Sequence, residues 1–134
     1  MKTTYFLLAF MLISFIACDK DPVPDSFSFG VENNFIISRN YHSIDNTLNF
    51  TITEVNDSRC PSDVVCIWAG KADVKIKFES PVAGTITLST YDNPVDTIGN
   101  YSIKIIDVSP YPISTKKIQL KEYTVLLKIE KLQR

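Results

Sequence analysis

The chain of 134 residues is short of most materials that catalysis uses: it has one His, one Trp, three Cys and four Gly. A single imidazole leaves little for a His-based metal cage or a His-based catalytic site. Neither sign of charge dominates, with 14 Lys and Arg against 15 Asp and Glu. The electrostatic footprint of a nucleic-acid binder is therefore missing. No Gly-rich phosphate loop, Gly-x-Ser-x-Gly elbow or His-Glu-x-x-His sequence occurs. Alanine is scarce too: beyond residue 17 only Ala69, Ala72 and Ala83 remain, and no helical period of useful length runs through the rest. These gaps point away from an enzyme and leave no metal, no cofactor and no nucleic acid to be expected.

Long hydrophobic runs are absent except one. After Lys2, residues Tyr5 to Ala17 form an almost unbroken apolar stretch of 13 residues. That is the layout of an export signal, and it is short of the ~20 residues a membrane-spanning helix needs. Ordinary signal cleavage wants small residues at the last and third-last positions, and Phe15 is not small. The quartet Phe15-Ile16-Ala17-Cys18 instead resembles the lipobox of bacterial lipoproteins, with Phe where Leu is usual. The resemblance implies a removed signal peptide over residues 1–17 and a diacylglycerol on the Cys18 thiol. It implies a protein exported and anchored by lipid, at the periplasmic face or the cell surface, with the leaflet left open. Asp19, Lys20 and Asp21, then Pro22 and Pro24, make residues 18–25 a polar, stiff spacer.

The remainder, residues 26–134, reads as one domain. From residue 18 onward 33 of 117 residues are Val, Ile or Thr, a balance that favours strands. Ala72 to Glu79 alternates apolar and charged residues, and period-two runs recur at Leu48–Ile52, Ile86–Leu88, Tyr101–Ile105 and Tyr123–Ile129. Weaker candidates are Phe27–Val31 and Phe35–Ile37. Adjacent Ile105 and Ile106 break their run and read as a β-bulge. Turn signals separate the runs at Ser80–Gly84, Tyr91–Pro94, Ile98–Asn100 and Ser109–Pro112. The expectation is all-β: an antiparallel β-sandwich or open barrel of about seven or eight strands. Arg39–Ser43, which holds His42, reads as a polar connection.

Residues 57–74 carry the other two cysteines and the only Trp. In an exported chain two thiols six positions apart oxidise, so Cys60 and Cys66 are expected to form a disulfide. Arg59 is close enough in sequence to Asp57 and Asp63 to bridge a carboxylate and loop carbonyls. Asp57-Ser58-Arg59-Cys60-Pro61 followed by Cys66-Ile67-Trp68-Ala69-Gly70 resembles a motif of uncharacterised secreted and lipoprotein domains of bacteria. That resemblance implies a fold and no chemistry.

Two roles stand open for this stretch. As structure, the disulfide staples a long connection, Trp68 covers it or seals the end of the sandwich, and Gly70 makes a left-handed turn. As function, Arg59, Pro61, Ser62, Asp63, Val64, Val65 and Trp68 form a stiff binding loop that loses little entropy on binding. The function expected is a non-catalytic binding or envelope-accessory module, with the bilayer as one partner and an envelope protein, a protease or a glycan as another. The alternative is a protease inhibitor presenting residues 60–66, and behind it a hydrolase using Asp57 and Asp63. Tyr91, Tyr101, Tyr111 and Tyr123 are candidates for an aromatic sugar platform.

Overall fold

The computed structural model describes residues 24–133. The expected signal segment 1–17, Cys18 and residues 19–23 of the expected spacer lie outside the described residues. Nine strands follow one another: β1 Ser26–Phe27, β2 Glu32–Ile36, β3 Asn40–Ser43, β4 Asn49–Asp57, β5 Ala72–Ser80, β6 Gly84–Ser89, β7 Val95–Ile98, β8 Tyr101–Ser109 and β9 Thr124–Lys131. Only a three-residue 3₁₀ turn, Leu120–Glu122, interrupts them among the described residues. They form a five-stranded sheet, β1-β3-β4-β5-β6, and a four-stranded sheet, β2-β9-β8-β7. All neighbours are antiparallel except β1 and β3, which run parallel.

The alternation of the sequence sets which side chains fill the space between the sheets. Ala72, Val74, Ile76 and Phe78 of β5 are all buried while Lys75, Lys77 and Glu79 face water. Phe50 of β4 sits in an aromatic cluster, with ring centroids at 5.1 Å from Phe35, 5.4 Å from Phe27 and 5.6 Å from Phe78. Ile103 and Ile105 of β8 face Ile129 and Leu127 of β9 in register, and all four are buried. The expected bulge is there: the β8–β9 register shifts between Ile105 and Asp107, which leaves Ile106 and Asp107 both facing out and returns Val108 to the core.

Two strands exceed what the sequence pattern suggested. Arg39–Ser43 is not a connection, since Asn40–Ser43 is strand β3, paired through Tyr41↔Phe50 and His42↔Asn49. One large side chain suffices there. Tyr41 is fully buried and its hydroxyl accepts the Ile36 N–H at 2.7 Å, so no polar atom of the ring is stranded. Val95–Ile98 pairs with β8 as the edge strand β7.

Register also assigns the two ends of the sandwich. Asp57 pairs with Ala72, Asp73 with Ser89, and Ile36 and Ser109 both with Thr124. The connections 58–71, 90–94 and 110–123 and the β2–β3 turn therefore emerge together at one end. The turns around Gly30, Asp45, Val82 and Gly99 lie at the other. β1 runs away from the first end, and Asp25 is ion-paired to Arg39 of the β2–β3 turn at 3.2 Å, so the chain enters the sandwich from the side of connection 58–71.

Candidate functional site

The connection between β4 and β5 is a hairpin prolonged beyond the sheet. The Ser58 N–H donates to the Lys71 carbonyl at 2.8 Å and the Cys60 N–H to that of Ala69 at 2.7 Å. The two motif segments are thus the two arms of one ladder. Gly70 is what lets them meet: its φ is +69°, and a Cβ there would stand 1.9 Å from the Ser58 carbonyl oxygen. Cys60 and Cys66 are bonded, with Cα atoms 5.9 Å apart, and close the tip into a ring.

Below the ring lies a buried ion pair. The side chains of Asp57 and Arg59 are only 3% and 6% exposed. Arg59 grips the carboxylate with Nε at 2.8 Å and Nη2 at 2.7 Å, a bidentate pairing, and its backbone N–H donates to the same group at 3.1 Å. Its remaining donors reach the other sheet, Nη1 to the Val108 carbonyl at 2.7 Å and Nη2 to that of Pro110 at 3.2 Å. The Tyr123 hydroxyl donates to Asp57 at 3.2 Å, and the Tyr111 ring stacks on the guanidinium at 4.5 Å. Burial by itself would raise the Asp57 carboxyl, but the hydrogen bonds and charge of Arg59 outweigh it and hold the group below the usual carboxylate range.

The ring is tied sideways as well. The Ser62 N–H donates to the Pro112 carbonyl at 3.0 Å, and the Asp63 carboxylate accepts both the N–H and the hydroxyl of Ser114. These bonds hold the Asp63 carboxyl below its ordinary range. Asp57 and Asp63 are thus both spent on backbone and side-chain donors.

The candidate residues divide between base and tip. Arg59, expected on a binding surface, belongs to the base, because its guanidinium is consumed by one carboxylate and two carbonyls. Pro61 is half-buried, while Ser62, Asp63 and Val64 are exposed. Val65 is 101% exposed and Trp68 83%. Trp68 therefore neither covers the disulfide nor seals the sandwich: it stands in water on the ladder, and the buried side chains at this end include Arg59 and Tyr123. Ile67, 95% exposed, joins this tip and was missed by the sequence reading. An apolar residue directly beside Trp and outside any alternating run was the available signal. Tyr91 was considered only for a four-tyrosine platform. The structure breaks that platform up, with Tyr101 and Tyr123 in the core and Tyr91 and Tyr111 exposed. Tyr91 and Trp68 both line an open groove of about 370 Å³, together with Ser58, Ala69, Gly70 and Lys71.

Among the described residues no group of three or more His, Cys, Asp or Glu is placed to hold a metal ion. No protein-family model, no curated protein and no solved structure matches this chain.

Proposed function

We propose that this chain is an exported lipoprotein, held to a membrane by acylated Cys18 and a spacer to residue 25, whose domain over 26–134 is a non-catalytic binding module. The recognition element is the tip of the β4–β5 hairpin. One observation carries this reading: Val65, Ile67 and Trp68 stand almost wholly in water on a loop whose base is fixed by a buried ion pair and a disulfide. Contiguous apolar side chains that fold against nothing have a cost in water, and a surface that keeps them rigidly exposed marks an interaction site. Preorganisation then lowers the ordering penalty of binding.

Palmitate labelling of the wild type and of Cys18→Ser tests the anchor, with label expected only in the wild type. Binding of the unanchored Cys18→Ser protein to fractionated envelope material, with and without changes at the tip, tests the module. The reading requires that Val65→Ser/Trp68→Ala weaken retention at unchanged fold, and equal retention of both proteins would reject it. A protease inhibitor is the second reading, favoured by Val64 and Val65 projecting from a ring braced through Ser62 and Asp63. Inhibition in a protease panel that vanishes on reduction would establish it.

A further inference from the structure

The tip and the point where the described chain enters the sandwich lie on the same side of the sheet, and the length of chain from that point back to Cys18 can be compared with the length of the hairpin. By register Pro24 stands level with Thr51, through the pairings Ser26↔His42 and His42↔Asn49. Six residues separate Pro24 from Cys18, a reach of at most ~21 Å even when fully extended. In the same direction, β4 and its extension rise by eight register steps from Thr51, opposite Lys77, to Cys60, opposite Ala69, or ~27 Å, one residue being taken up by the bulge between Ile52 and Glu54. The hairpin outreaches the tether, so its tip meets the surface before the tether is taut.

The chemistry of this end suits a bilayer interface. Val65 and Ile67 are aliphatic, and Trp68, Tyr91 and Tyr111 are the ring types that settle at headgroup level. Of the nearby carboxylates, Asp57 is paired with Arg59, Glu122 with Lys116, and Asp73 and Asp92 share Lys71, while Asp63 and Asp107 keep their charge and accept from the Ser114 and Ser109 hydroxyls. Lys117 and Lys121 are exposed on the adjoining segment 110–123 and suit anionic headgroups.

Resting on the lipoprotein reading above, we propose that the ligand of the β4–β5 tip is the lipid surface itself: Val65, Ile67 and Trp68 insert at the interface of the membrane that holds Cys18. The tether makes this second contact intramolecular, so a shallow apolar insertion is enough to orient the domain loop-end down.

Trp68 is the only tryptophan of the chain and reports on itself. The lipidated full-length protein is reconstituted into vesicles of phosphatidylethanolamine and phosphatidylglycerol. Its emission is expected to shift to shorter wavelength, to lose quenching by aqueous iodide and to gain quenching by brominated acyl chains. In Val65→Ser/Ile67→Ser, with an unchanged thermal midpoint, Trp68 is expected to return to iodide quenching while the protein stays on the vesicles. Wild-type Trp68 that remains water-exposed on vesicle-bound protein overturns the insertion and leaves the tether standing, with the tip free for a protein or glycan. Mass spectrometry finding Cys18 without acyl groups overturns the tether and the insertion with it.

Discussion

The two ends of the sandwich are closed in opposite ways. At the end away from the hairpin the turn at Asp45 is bonded chiefly within itself. The Asp45 carboxylate accepts the Ser43 hydroxyl at 2.6 Å and the Thr47 hydroxyl and N–H at 2.7 and 3.1 Å, bonds that draw its pKa down to about 2. At the hairpin end the bonds run between segments far apart in the chain: Arg59 to Val108, Asp63 to Ser114 and Tyr123 to Asp57. Longer-range bonds at the Asp45 end are fewer and peripheral, from the Tyr101 hydroxyl to the Thr47 carbonyl at 3.4 Å and from Lys131 to Asp45 at 3.7 Å, and it presents aliphatic side chains such as Ile44 and Val82. The cross-braced end holds up a long hairpin and leaves its apolar tip free. The difference teaches that stability and presentation are divided within one connection, with Asp57 and Arg59 serving the first and Val65, Ile67 and Trp68 the second.

The largest effect should come from splitting the ion pair. Arg59→Leu strands a buried carboxylate and removes donors from two carbonyls, and is expected to cost about 3–5 kcal/mol in denaturant unfolding. Replacing both partners, Asp57→Leu with Arg59→Met, should recover much of that loss, because the uncompensated charge is gone. The same pair sets an acid limb. Since the Asp57 pKa is lowered by folding, its stabilisation is complete above the ordinary carboxylate value of ~3.9 and is lost as pH falls through the lower folded value. The thermal midpoint should therefore drop on acidification below about pH 4, and less steeply in the double variant.

Opening the ring comes next. Cys60→Ser/Cys66→Ser frees a seven-residue loop, which the loop-closure relation values at roughly 2–2.5 kcal/mol of unfolded-state entropy. Urea midpoints of the two proteins measure it, and a loss as large as that of Arg59→Leu would mean that the ring, not the ion pair, holds this end.

How much of this was legible beforehand follows the same division. Strands β4, β5, β6, β8 and β9 were readable because their alternation is local, and so was the bulge at Ile105 and Ile106. The disulfide was legible from the spacing of the two cysteines together with the expectation of export. β3 was not, because Asn40, His42 and Ser43 are polar and only pairing with β4 makes them a strand. The outward position of Trp68 and the burial of Arg59 were hidden for a different reason. The groups that bury Arg59, at Val108, Pro110 and Tyr111, lie far along the chain and share no local pattern with residues 57–70, and nothing local marks the side of the hairpin on which Trp68 stands.

The smallest effect is expected at the tip. Val65→Ser, Ile67→Ser and Trp68→Ala each remove an exposed apolar group and should change stability by no more than about 0.5 kcal/mol. A destabilisation of core size from any of them would place that side chain against the protein after all.

Backbone ¹⁵N relaxation of residues 58–71 bears most directly on the claim of a stiff loop with a free tip. Order parameters close to the ~0.85 of rigid backbone, matching β4 and β5 and continuing through Val65 and Trp68, are the expected result. Values below ~0.6 across the ring in the oxidised protein would contradict it, because a loop that mobile presents no fixed surface.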